Sequence, residues 1–179
     1  MHLFDKLEDY SSNVAIIDDN QNSYTYKELL HSADILGEKI SKRTTVFLVC
    51  KNSYEFIISY IALIRKKVVF FLINNSINKE KFKYLINHYK PIYILSPDEK
   101  NISDLNLKEL FNLNKKYKLL KTNFQKKYNV YSGLALLMTT SGSTGSPKFV
   151  RLSHSPCMHQ ARFYVRVLYV LRSIMFWSA

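Results

Sequence analysis

The residues with the clearest chemical potential in this sequence are Thr139-Thr140-Ser141-Gly142-Ser143-Thr144-Gly145-Ser146-Pro147-Lys148. The chain has four glycines in 179 residues, and two of them, Gly142 and Gly145, fall in this one stretch. Glycine lets a backbone turn sharply and approach a ligand with no Cβ in the way. Successive N–H groups in such a turn form a concavity for anions, and neighbouring hydroxyls add donors without adding negative charge. Lys148 brings a mobile ammonium suited to polyphosphate. These groups suit the phosphates of a nucleotide, with Thr140, Ser141, Gly142, Ser143, Thr144, Gly145 and Lys148 as the binding set. The alternative for the loop alone is a Gly/Ser/Thr-rich surface segment with no ligand.

The spacing is not that of a Walker loop. Counted from Gly142, that pattern would need glycine at Pro147 and Ser or Thr at Phe149. Phe149-Val150-Arg151-Leu152-Ser153 alternates as a strand does, so the loop is expected to join two strands and not to open a helix. No residues have the spacing of a metal site. Cys50 and Cys157 are far apart, and Cys50 closes an apolar run, as a core residue in a reducing compartment would. No catalytic residue and no metal ligand is assigned.

The elements that must hold the loop alternate along the chain. His2–Tyr10 has the pattern of a short amphipathic helix, Val14–Asp18 of a strand, and Asp19–Asn22 of a turn. Ser23–Tyr26 returns as a β-prone segment. Thr25 with Glu28 forms a capping box for a helix from about Tyr26 to Ser41, with Leu29, Leu30, Ala33, Leu36 and Ile40 on one face. Thr45–Cys50 and Val68–Ile73 are continuous apolar strands, as expected where both faces are covered. Ser53 caps a helix over Tyr54–Arg65, and Asn78 one over Lys79–Tyr89 that Pro91 stops. Ile92–Leu95 and Leu134–Met138 complete the buried strands. Residues Asp98–Asn129 read as a surface insertion with one helix near Leu105–Leu113. Strand–helix alternation with short links predicts an α/β fold with a doubly wound, mostly parallel sheet, flanking helices and right-handed crossovers.

At this point a resemblance becomes specific. Met138 through His154 resembles the signature of the AMP-binding, adenylate-forming superfamily, which includes acyl-CoA synthetases, nonribosomal-peptide adenylation domains and luciferases. Ser23-Tyr24-Thr25-Tyr26-Lys27-Glu28-Leu29 resembles the entry to that family's first long helix. Asn52-Ser53 and the helix through Ile61-Ala62-Leu63-Ile64 resemble a second family segment. Lys67 stands where the family usually has glycine, and Leu72 where it usually has proline.

The resemblance implies that residues 1–154 are the first part of the large N-terminal domain of such an enzyme. It also implies a two-step reaction. A carboxylate attacks the α-phosphate of Mg2+-bound ATP to give an acyl-adenylate and pyrophosphate, and a thiol of coenzyme A or a carrier protein then takes the acyl group. Ser141, Gly142, Ser143, Thr144 and Gly145 would wrap the β- and γ-phosphates, with Thr140 a further donor. Lys148 would steady the loop or offset phosphate charge, and His154 would cap a helix or touch the ligand. The family's aromatic-Gly-x-Thr-Glu segment, ribose-binding Asp, hinge, catalytic Lys and acyl pocket lie beyond residue 179. The chain alone is therefore expected to be inactive. Medium- and long-chain fatty acids, aryl acids and amino acids all remain open as substrates.

Charge and composition bear on the alternatives. The formal net charge is +12, yet residues 1–109 are nearly balanced, and residues 110–179 carry no acid. That asymmetry keeps two other readings open: a stand-alone nucleotide- or polyphosphate-binding module, and a basic interaction protein for nucleic acid or anionic membrane. No helix-turn-helix, zinc or aromatic RNA-binding motif accompanies the charge, so nucleic acid is not the expected partner. The apolar stretches are broken by Arg65-Lys66-Lys67, Arg166 and Arg172, so no membrane span is expected, and with no leader visible the expected location is cytoplasmic. Residues 155–179 contain no Lys, Asn or acid but the one Trp, a switch in usage that points to a reading-frame change or gene truncation after His154.

Overall fold

The computed structural model describes residues 5–100, 102, 105–125, 131–140 and 148–153. A 3-10 helix over Asp5–Tyr10 stands in place of the N-terminal helix expected there. It leads into a two-stranded antiparallel ribbon of β1 (Val14–Ile17) and β2 (Ser23–Thr25). Asp18 organises the connecting turn, its Oδ1 accepting from the backbone N–H of Asn20 at 3.0 Å and of Asn22 at 2.9 Å. Helix α1 (Tyr26–Glu38) opens with the expected capping box: the Thr25 hydroxyl accepts from the Glu28 N–H, and the Thr25 N–H donates to Glu28 Oε2 at 2.7 Å.

The main sheet comprises β3 (Thr45–Cys50), β4 (Val69–Asn74), β5 (Tyr93–Pro97), β6 (Lys108–Leu113), β7 (Tyr117–Lys121), β8 (Leu134–Thr140) and β9 (Lys148–Ser153). Its order is β6-β7-β5-β3-β4-β8-β9. The four central strands are parallel, and the flanking pairings β5–β7, β6–β7 and β8–β9 are antiparallel. Helix α2 (Tyr54–Arg65) links β3 to β4, and α3 (Lys79–Tyr89) carries the chain back past β3 to β5.

The two crossovers run in opposite directions across the sheet, so with a common hand they lie on opposite faces. The core divides accordingly. Val46, Leu48, Phe70 and Leu72 face α1 and α2. Phe47, Val49, Phe71 and Ile73 face Phe82, Leu85 and Ile86 of α3. Period-two alternation with apolar residues on both faces is why these strands read as unbroken apolar runs. Helix α2 is buried almost all round, and Arg65 ties it to α1 through a two-point pair with Asp34 at 2.9 and 3.1 Å.

One expectation is corrected. The helix near Leu105–Leu113 is instead strand β6, the outer half of a hairpin with β7 that pairs antiparallel to β5. Leu107, Leu110 and Phe111 have helical spacing, but β7, itself paired to β5, offers the segment backbone partners, and Leu110, Phe111 and Leu113 pack against the core from there. Residues 114–116 join the two strands, with Asn114 (φ 54°) and Lys115 (φ 56°) in left-handed backbone and the Lys116 N–H donating to Leu113 O at 3.0 Å. Positive φ at both central positions is the type I′ geometry that matches strand twist. Tyr117, fully buried, donates its hydroxyl to the Val49 carbonyl and locks the hairpin to the centre of the sheet.

Candidate functional site: the carboxyl edge of the sheet

Parallel strands end together. Cys50, Asn74, Pro97 and Thr140 close β3, β4, β5 and β8 at one edge. From β3 the chain leaves toward one face and from β4 toward the other, so their carboxyl ends form a topological switch point. Open α/β sheets bind ligands in such a place, where backbone N–H groups and helix N-termini converge and no side chain from a crossover fills the gap.

The sequence-nominated loop springs from this edge. β8 lies beside β4 in the register Phe70–Leu136, Phe71–Leu137 and Leu72–Met138, and its last residue, Thr140, is the cross-strand partner of Lys148, the first residue of β9. The strand expected from the alternation after Lys148 is formed, and it pairs antiparallel with β8. Thr140 and Lys148 are brought together at the base of the nominated loop. Ser141, Gly142, Ser143, Thr144 and Gly145 lie outside the described residues, as do His154 and Cys157.

What holds the base is legible in the packing. Phe149 follows Lys148 and turns its ring onto the α3 face, meeting Phe71 edge-on at 5.2 Å and 90° and Tyr89 at 5.0 Å and 78°. Phe71 and Tyr89 also contact each other at 5.0 Å, so strand β9 is seated against β4 and α3 at once. Sequence reasoning missed this anchor, since an apolar residue in a strand carries no mark of which aromatic it will meet.

Other groups at the edge are polar and engaged. Lys51 pairs with Glu99, and Lys100 Nζ donates to the Asn75 carbonyl at 2.7 Å while its ammonium lies 5.5 Å from the Phe82 ring centre. Burial lowers the Lys100 pKa below its ordinary value. Glu55 in the first turn of α2 is 1% exposed, and its Oε1 accepts from Asn114 Nδ2 at 3.2 Å. Burial pushes the Cys50 thiol up to about 12, which fits the core role expected of it. Among the described residues no group of three His, Cys, Asp or Glu could hold a metal ion, and no helix is long and apolar enough to cross a membrane.

The model of the AMP-binding enzyme family matches residues 3–177, a span that includes both strands β8 and β9. The chain belongs to the AMP-binding enzyme family. The matched span runs past His154, so the change in residue usage there lies inside it. This family member is 26% identical over 160 residues to cyclo-acetoacetyl-L-tryptophan synthase of Aspergillus oryzae, covering 84% of this chain and 4% of that protein. Its fold is similar to that of O-succinylbenzoate coenzyme A synthetase from Bacillus subtilis in complex with AMP: TM-score 0.64, 20% identity, 85% of this chain and 42% of that one. It is also similar to the anthranilate CoA ligase AuaEII in complex with anthranoyl-AMP: TM-score 0.66, 15% identity, 86% of this chain and 34% of that one. The chain thus spans less than half the length of these relatives. At such identities the solved structures establish the fold, that of the first part of an adenylate-forming N-terminal domain.

Proposed function

We propose that this chain is the nucleotide-gripping N-terminal part of an ATP-dependent carboxylate-activating ligase. The observation that supports the reading is the β8–β9 pairing, in which Thr140 and Lys148 are register partners at the carboxyl end of β8. In this reading Thr140, Ser141, Gly142, Ser143, Thr144 and Gly145 donate to the β- and γ-phosphates, and Lys148 offsets their charge. The donor set fits a polyphosphate: it holds hydroxyls, glycine N–H groups and one ammonium, with no carboxylate to repel the ligand. ATP supplies the α-phosphate at which a carboxylate is activated, and Mg2+ would accompany it on the phosphate oxygens. The chain's own contribution is to orient the polyphosphate and neutralise its charge, the two effects on which phosphoryl chemistry depends.

The acid and the thiol acceptor, coenzyme A or a carrier protein, belong to the longer parent reaction. The 179-residue chain alone binds ATP and does not complete adenylation, and the parent works in the cytoplasm. Calorimetric titration of the purified chain with ATP tests the reading, and the expected result is binding that Lys148→Ala abolishes. Binding unchanged by that substitution would overturn the assigned site. Carboxylate-dependent ATP–pyrophosphate exchange by the chain alone would overturn its inactivity.

A further inference from the structure

The sheet has a second end, opposite the phosphate hairpin. There the chain enters β3, β4 and β5 through tight turns, and each turn places a cation in left-handed backbone: Arg43 (φ 56°), Lys67 (φ 54°) and Lys90 (φ 47°). That conformation is disfavoured for any residue with a Cβ, and glycine or asparagine is the least strained occupant. Lys42 adjoins Arg43. On the β6–β7 hairpin Lys108 and Lys121 stand directly opposite each other at the same end, and Lys121 is also the register partner of Tyr93. Like charges in that cross-strand position repel.

These segments are tied into one rim. The Tyr93 hydroxyl and Ser41 Oγ are 2.9 Å apart, and Thr122 Oγ1 donates to the Pro91 carbonyl at 2.7 Å. All six cations are exposed, and none forms an ion pair among the described residues. Of the acids nearest in sequence and register, Glu109 pairs with Lys118 at 3.4 Å, and Glu38, exposed at the end of α1, lies four residues before Lys42. Charge of one sign has been concentrated here against both backbone strain and mutual repulsion.

We propose that this rim docks the protein on an anionic lipid surface. Five of the six cations are lysines, which act as compact point charges, whereas recognition of a shaped anion favours the forked donors of arginine. None of the six lines the cavity beside Tyr89 and Tyr131 or the two cavities that flank Lys100. A broad layer of laterally mobile headgroups needs neither a concavity nor fixed donor geometry, only several cations near one plane. Because the rim and the Thr140–Lys148 pair lie at opposite ends of the strands, a docked molecule keeps its proposed nucleotide end toward water.

The test is co-sedimentation of the full chain with phosphatidylcholine vesicles, with and without phosphatidylserine, at two salt concentrations. Binding is expected only with phosphatidylserine and is expected to weaken as salt rises. The triple variant R43G/K67G/K90G relieves three strained positions, so it is expected to melt no lower than the parent. Its vesicle affinity is expected to fall about five-fold per cation, about a hundred-fold in all. K108Q/K121Q, which leaves the turns intact, is expected to fall about twenty-five-fold by the same reasoning. The proposal is overturned by equal sedimentation without phosphatidylserine or by unchanged affinity in both variants. Tighter binding to duplex RNA than to vesicles at the same salt would overturn it in favour of a nucleic-acid partner.

Discussion

Replacing Phe149 by alanine separates the positioning of the phosphate loop from the folding of the sheet. The ring is half-buried and makes two edge-on contacts, with Phe71 and Tyr89. Such contacts are worth about 0.5–1.5 kcal/mol each beyond area burial. A fully buried Phe→Ala change costs about 3–5 kcal/mol, so a half-buried ring with both contacts should cost about 2 kcal/mol. Urea unfolding of the purified chain measures this as a fall in midpoint at constant slope. Phe149 is also the residue next to Lys148, so loosening it loosens one leg of the loop. If about 1.4 kcal/mol of the loss is felt at the loop, the ATP dissociation constant rises about ten-fold. Phe149→Leu keeps apolar volume and forfeits the edge-on geometry, and it should lie between the two. A Phe149→Ala chain that loses stability yet binds ATP as the parent does would refute the anchor argument. One that loses no stability would refute the packing argument beneath it.

Three further outcomes follow from the fold. Lys115→Gly should stabilise the chain by about 0.5–1 kcal/mol, since relief of left-handed strain outweighs the entropy glycine gains on unfolding, and a higher urea midpoint checks this. Tyr117→Phe should destabilise by about 1–2 kcal/mol, because the Val49 carbonyl loses its donor in a dry site, and thermal melting reads the loss. The capping hydrogen bonds from Thr25 hold the Glu28 carboxyl below its ordinary pKa, and those from Asn22 do the same for Asp18. In both cases the unfolded chain takes up protons first as pH falls. Their stabilisation is therefore complete above the ordinary carboxylate pKa of about 4 and is lost below it. Unfolding midpoints of Glu28→Gln and Asp18→Asn should converge on the parent's as pH drops through that range.

The central layer was legible in the sequence because its signals are local. Thr25, Ser53 and Asn78 announced α1, α2 and α3 by side chains that bond N–H groups within the same turn, and all three caps are formed. β3, β4, β5 and β8 were visible as apolar runs because each face has its own cover. The β6–β7 hairpin was not visible. Its turn is Asn114-Lys115, without the glycine that marks type I′ turns, and its strand identity comes from the free edge of β5. The loop was nominated by its glycines and hydroxyls, and the strands on either side of it are formed. The anchor beneath it was hidden, because Phe149 gains its role from Phe71 and Tyr89, which are far away along the chain. The departure at Lys67 is explained by its φ of 54°, the conformation for which glycine is the usual choice.

The strand order has a consequence for how the protein is made. The platform that receives β8 is the outer edge of β4, and β4 rests on β3. Both faces of that platform are covered by helices that precede residue 90. During synthesis the strands β3, β4 and β5, closed on one side by the β6–β7 hairpin, can pair before the ribosome has delivered residue 134. The nucleotide hairpin is thus an addition to a finished wall and not one of its foundations. It can unzip from β4 and return while the rest of the sheet stays intact, so a nucleotide bound there would slow amide exchange in β8 and β9 far more than in β3.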